Sequence, residues 1–207
     1  ADALLHHALV NYGAAALLMP YSPFRVAART LRHDIDALAN RFGVSAEQAG
    51  HRLATLQRPG QRGVPFFFCR IDPAGNITKR HSATRLDFGS FGPLCPRLKV
   101  HEAATRPCYA AAELAEMPDG VRYILLARCI TRADRRHAIV LACEADYAAH
   151  LACADGLNLD DEAAATPIGP GCRLCPREGC SQRAFPPIDR PIHVERASRH
   201  IIPYSIG

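Results

Sequence analysis

Three cysteines fall within nine residues near the end of the chain, in Cys172-Arg-Leu-Cys175-Pro-Arg-Glu-Gly-Cys180. The surrounding stretch, Thr166 to Gly207, is broken by Gly169, Pro170, Gly171, Pro176, Gly179, Pro186, Pro187, Pro191 and Pro203. Proline removes an amide and glycine raises the entropy cost of order, so little helix or strand is predicted there. Such a tail needs a metal centre or tight docking on a core to stay ordered.

A loop of this kind can fold three sulfurs around one centre, but tetrahedral zinc and iron–sulfur clusters both take a fourth ligand. Cys95 in Gly92-Pro-Leu-Cys-Pro96 is the candidate, since it too lies between breakers. Cys69, Cys129 and Cys143 fall inside apolar strand patterns, where a thiol behaves as a small buried hydrophobe. Cys108 and Cys153 stand in helical or helix-edge context and are read as structural. His193 and His200 are more distant candidates as ligands. Nine cysteines are an odd number in a chain longer than most secreted disulfide scaffolds, so reduced thiols with a metal site fit better. Four thiolates suit zinc and iron–sulfur alike. Three clustered cysteines with a remote fourth lean to iron–sulfur.

With 207 residues, 48% of them hydrophobic and 22% charged, the chain can build a core, and disorder or a fibrous structure is excluded. Its longest apolar run, Gly13 to Met19, is too short to cross a bilayer, and its opening residues do not read as a signal peptide. The expected location is the cytoplasm, away from membranes. A net charge of +5, carried almost wholly by arginine, suits an anionic ligand as well as nucleic acid. H-E-x-x-H, P-loop and G-x-S-x-G motifs are missing, and Gly89-Ser-Phe-Gly92 has glycine spacing without a lysine or a helix start. Nothing assembles a nucleophile, a base and an orienting group, so the chain is not expected to be an enzyme.

The organisation reads as three blocks: 1–57 helical, 64–160 an α+β core, and 161–207 a cysteine-cluster tail docking on it. Leu4, Leu5, Ala8, Leu9, Tyr12 and Ala16 have near-helical spacing, and Pro20 and Pro23 end that helix. A second helix is predicted from Pro23 to Phe42, closed by Gly43. Ser45-Ala-Glu-Gln48 has capping-box spacing and opens a third. Helix, Phe42-Gly43-Val44-Ser45, helix is also the outline of a helix-turn-helix, with Glu47, Gln48, His51 and Arg52 on its recognition helix. A plain helical hairpin is the preferred reading of it.

Pro65 to Ile71 and Ile77 to Ser82 flank the turn Asp72-Pro-Ala-Gly-Asn76 as a hairpin. Val121 to Ile130 and His137 to Cys143 form a second, with Arg132 to Arg136 as its turn. Leu98 to Thr105, Tyr109 to Met117 and Glu144 to Ala154 are predicted helical. Two hairpins with helices between them imply an antiparallel sheet covered on one face, a sensor-like (GAF/PAS-like) α+β core.

Several segments resemble known regulators. Asn11-Tyr-Gly-Ala-Ala-Ala-Leu-Leu-Met-Pro20 resembles the segment after the zinc-binding helix of ImmA/IrrE-type proteins, and Arg41 to Ser45, His51 to Leu53 and Leu56 to Pro59 continue the likeness. Gly63-Val-Pro-Phe-Phe-Phe68, Asp72 to Asn76, Lys79 to Ala83, Cys95-Pro96, Met117 to Gly120, Ala165 to Cys172 and Gln182-Arg-Ala-Phe-Pro-Pro187 resemble the short-chain fatty acyl transcriptional regulators.

The resemblance implies the effector region of a bacterial regulator of acetate, propionate or methylcitrate metabolism that senses a short-chain acyl-CoA. It also implies a [4Fe–4S] cluster on Cys95, Cys172, Cys175 and Cys180 and bound coenzyme A; zinc is the alternative metal. The promoter-binding domain and the H-E-x-x-H region of the full-length pattern are not among these 207 residues. Promoter DNA is therefore expected to be bound by an N-terminal domain absent from this chain, and a homodimer is a further expected partner. Arg58, Arg62, Lys79 and Arg80 flank the first hairpin and are candidates for the acyl-CoA phosphates, or equally a solvated basic edge. The rival functions are a redox- or iron-sensing regulator domain and a zinc-stapled DNA-binding module using Ser45 to Leu56.

Overall fold

A computed structural model of the chain describes residues 2–88, 93–132, 135–194, 202 and 204–206. Gly89 to Gly92 and His200 lie outside the described residues, as does part of the expected turn from Arg132 to Arg136.

Four helices come first: α1 (Asp2–Leu18), α2 (Tyr21–Thr30), α3 (Ile35–Phe42) and α4 (Ala46–Ala54). Helix α1 is rich in Ala and Leu without a separate apolar face, and it carries no buried residue, with Leu4 80% and Leu17 83% exposed. The helix predicted from Pro23 to Phe42 is in fact two. Arg32 and His33 take left-handed conformations, at φ 46° and 57°, and Asp34 then caps α3 by accepting the amides of Asp36 and Ala37. Contacts from the far end of the chain hold this turn. Arg32 grips Asp155 through two 2.7 Å bonds, and the His33 ring lies 2.9 Å from the His150 carbonyl.

Helix α3 ends at Gly43, where φ of 62° suits a residue without a Cβ, and the predicted capping box of Ser45 and Gln48 opens α4. The helix-turn-helix outline is real as a pair of helices, but its recognition surface faces inward. Glu47 bonds Arg70 and His137 on the sheet, the His51 ring packs 5.3 Å from Phe68, and Arg52 is 4% exposed. Gln48 is taken up by the cap. Helix α4 is a packing element, drawn onto the sheet at Gly50, where even a Cβ would meet the Phe68 ring at 3.5 Å.

The core sheet has six strands in the order β2-β1-β5-β4-β3-β6. They are β1 (Phe67–Ile71), β2 (Ile77–Ser82), β3 (Ala110–Glu116), β4 (Arg122–Arg132), β5 (Arg135–Glu144) and β6 (Thr166–Pro167). All pairs are antiparallel except β3 with β6. Both predicted hairpins form, and the second is longer than predicted.

The sheet is covered on both faces rather than one. Phe66, Phe68, Ile124, Ile139 and Leu141 pack under α2 to α4, while Phe67, Cys69, Ile71, Leu125 and Val140 pack with Leu86, Phe88, Leu94, Leu98 and α5 (Val100–Thr105). The unbroken run Phe66-Phe-Phe-Cys69 supplies both faces, each buried phenylalanine contributing roughly 1.5–3 kcal/mol.

Two helical predictions fail. Ala110 to Glu116 is strand β3, because pairing along β4 outweighs the helix preference of its alanines. From Glu144 onward the chain forms short 3-10 turns, Ala145–His150 and Ala152–Ala154. A small hairpin of β7 (Ile192–His193) and β8 (Ser205–Ile206) closes the fold.

Candidate cysteine-cluster site

Cys95 lies in the loop over one face of the sheet, between the buried Leu94 and Leu98. Its carbonyl accepts the Leu98 amide at 3.2 Å and lies 3.0 Å from His101 Nε2. The tail reaches this loop by way of β6. Thr166 and Pro167 pair in parallel with Ala115 and Glu116, the Ile168 amide donates to the Glu116 carbonyl at 2.9 Å, and Ile168 is fully buried. Gly169 to Cys175 are thereby delivered beside Cys95.

The amides of Arg97 and Gly169 donate to the Cys95 sulfur. Burial pushes this thiol up, the two amides pull it down, and the charges of Cys172 and Cys175 push it up again. The tail lies against this loop, since a Cβ on Gly171 would meet the Pro93 carbonyl at 3.5 Å. Cys172 accepts the Ala184 amide at 3.3 Å. Cys175 lies against Gly169 so closely that a Cβ there would stand 2.4 Å from its sulfur. Gly179, at φ 59°, makes the left-handed turn that leads into Cys180.

Two arginines hold the loop from within. Arg177 donates to the Ile168 and Glu116 carbonyls at 2.8 and 2.9 Å. Arg183, 8% exposed, donates to the carbonyls of Cys172 at 2.8 Å and Cys175 at 3.2 Å, and to that of Arg177. Neither arginine has a sequence signal that sets it apart from the other arginines of the chain. Gly169 is marked only as one of several breakers.

The donor set suits a sulfur-ligated metal centre: a buried thiol facing a thiol-rich loop, amides aimed at two of the sulfurs, and a space kept clear by a glycine. Among the described residues, no three Cys, His, Asp or Glu side chains stand close enough to share one metal ion. A single zinc with Zn–S bonds of ~2.3 Å would need them drawn to within about 3.8 Å of one another, whereas a four-iron cluster spreads its thiolates over four metals.

The remaining cysteines stay apart from this set. Burial pushes Cys69 up to about 12, Cys153 up to about 11 and Cys143 higher still, as expected of thiols used as apolar filling. Cys129 is buried in β4 and Cys108 is exposed.

The four basic candidates do not converge. Lys79 and Arg80 are neighbours on β2 and therefore point to opposite faces. Lys79 lies 3.8 Å from Glu47 on the helical side, and Arg80 donates to the Phe88 carbonyl on the other. Arg58 stacks over the Tyr21 ring at 4.3 Å, and Arg62 is exposed in the loop before β1.

Residues 55–204 match the family described as short-chain fatty acyl coenzyme A regulator, C-terminal. The chain belongs to this family. Residues 3–54 match a second description, the IrrE N-terminal-like domain. Among relatives of this family member, the propionyl-CoA carboxylase regulator of Cereibacter sphaeroides is 50% identical over 205 residues, 96% of this chain and 44% of that protein. The HTH-type transcriptional regulator PrpR of Mycobacterium tuberculosis is 44% identical, over 95% of this chain and 42% of that one. RamB of the same species is 42% identical, over 96% and 44%. The chain thus spans under half the length of these curated relatives, which are regulators and not enzymes. A solved Mycobacterium tuberculosis transcriptional regulator superposes with a TM-score of 0.89 at 43% identity, covering 96% of this chain and 62% of that one.

Proposed function

We propose that this chain is the ligand-sensing effector region of a bacterial transcriptional regulator of short-chain fatty acid metabolism. In this reading it binds a short-chain acyl-CoA and carries a [4Fe–4S] cluster on Cys95, Cys172, Cys175 and Cys180. What supports the cluster is the approach of the Cys172–Cys180 loop to the Cys95 loop from a distant part of the chain, with Gly171 against the Pro93 carbonyl and the Ala184 amide on the Cys172 sulfur. When bound, the cluster would be held by the four thiolates and tie the tail to the 93–99 loop.

The acyl-CoA reading rests on the family and on the name of the Cereibacter relative. The antiparallel order β2-β1-β5-β4-β3, backed by helices, supports a sensor-like (GAF/PAS-like) core. Promoter DNA is bound by another part of the polypeptide, since the helix-turn-helix outline found here is turned inward. The effector acts by shifting the region between two packings that it binds unequally.

Iron, sulfide and zinc content of anaerobically purified protein, with its visible spectrum, tests the cluster. About four irons and four sulfides per chain with brown absorption support it, and one zinc in a colourless sample overturns it. Calorimetric titration with propionyl-CoA tests the effector; a flat titration together with an unmoved melting temperature overturns that part.

A further inference from the structure

A cavity of about 470 Å³ lies between the cysteine loop and β8, with Cys180, Arg183, Ile202, Tyr204 and Ile206 in its wall. Its volume falls within the roughly 300–1,000 Å³ of small-molecule pockets. Two isoleucines and a tyrosine ring make the wall largely apolar. The charges in it are already engaged: Arg183 on three loop carbonyls, and Glu178 on Arg190 at 3.2 Å. A phosphate entering here would meet a carboxylate and a guanidinium already taken. An uncharged ligand end would meet neither penalty.

We infer that this cavity receives the acyl and thioester end of the acyl-CoA, leaving its phosphates outside, and that Arg183 couples its filling to the cysteine loop. The inference rests on the acyl-CoA reading above. Of the four cluster candidates, Cys180 lines the cavity; among the described residues, Cys95, Cys172 and Cys175 do not. The ligand therefore sits beside the sulfur set rather than within it. Arg183 has its side chain in the cavity wall and its guanidinium on the carbonyls of Cys172 and Cys175. A ligand that shifts Arg183 shifts the backbone of two cluster ligands. Arg183 is thus a positioning residue.

The test uses the chain reconstituted anaerobically with iron and sulfide, and propionyl-CoA as probe. Wild type should bind propionyl-CoA and change its visible circular dichroism on saturation. Ile202→Trp, which fills the cavity, should weaken binding roughly tenfold or more with its iron content unchanged. Ile202→Ala, which enlarges it, should shift preference from propionyl-CoA towards butyryl-CoA. Arg183→Lys keeps the charge but loses the planar fork, and should diminish the spectral change measured at saturating propionyl-CoA.

Unchanged affinity in Ile202→Trp, or an unaltered chain-length preference in Ile202→Ala, overturns the cavity assignment. A full spectral response in Arg183→Lys overturns the coupling. Loss of iron in that variant also overturns it, by assigning Arg183 to holding the loop alone. No acyl-CoA binding by wild type would remove the parent reading, whereas normal wild-type binding with indifferent variants removes this inference alone.

Discussion

Gly169 and Cys175 occupy one space: a Cβ on the glycine would stand 2.4 Å from the cysteine sulfur, closer than unbonded atoms approach. The same glycine gives its amide to Cys95. One residue without a side chain therefore lets the tail thiol and the loop thiol come together. Gly169→Ala is expected to push Cys175 aside, so that purified protein holds markedly less iron and sulfide while its far-ultraviolet circular dichroism is unchanged. Gly156→Ala is the control, since its Cβ would meet nothing within 4 Å.

Substitution of thiols separates ligands from filling. Cys175→Ala should abolish visible absorption and lower the melting temperature through release of the tail. Cys108→Ser should leave both as they are, because Cys108 is exposed and outside the sulfur set.

Glu47 balances three groups of the sheet, bonding Arg70 at 3.0 Å and His137 at 3.1 Å and facing Lys79 at 3.8 Å. Glu47→Gln removes the charge and leaves the Arg70 and Lys79 cations to repel one another on a partly buried surface. Urea unfolding should show a loss of about 1–3 kcal/mol. An effect near zero would mean that water already screens these groups.

His51 titrates at about 4 rather than 6.5, mainly because burial disfavours its charged form, with Lys79, His81 and Arg52 adding to that and Glu47 opposing it. The unfolded chain therefore takes up this proton before the folded one does. The His51 contribution to stability falls as pH drops from ~6.5 to ~4 and changes no further below that. His51→Gln should flatten the urea midpoint across this range.

Glu113 behaves in the opposite sense. It is 3% exposed, its Oε1 accepts the Lys99 amide at 2.9 Å, and burial pushes its carboxyl up. The folded state holds this proton more tightly, so its contribution is full below the ordinary carboxylate range and is lost as pH rises through the raised value. Glu113→Gln should narrow the stability difference between acid and neutral pH, read from melting temperatures.

The chain's own residue order determined its local decisions. Ser45 and Gln48 wrote the capping box, Gly43 the end of α3, and the turn Asp72 to Asn76 the first hairpin, because each depends on groups a few residues apart. The spacing of Cys172, Cys175 and Cys180 likewise marked a thiol-rich loop, and breakers marked Cys95.

Tertiary structure decided whatever depends on distant partners. Ala110 to Glu116 became a strand because β4 was there to pair with it, and the chain turned at Arg32 and His33 because Asp155 and His150 held it there. Lys79 and Arg80, adjacent in sequence, parted to opposite faces of the sheet, so the expected basic fork does not form. Arg183, indistinguishable from other arginines in the sequence, became the centre of the cysteine loop because three backbone carbonyls converge on it. Local propensity is worth tenths of a kcal/mol per residue, and burial with pairing outweighs it wherever the two conflict.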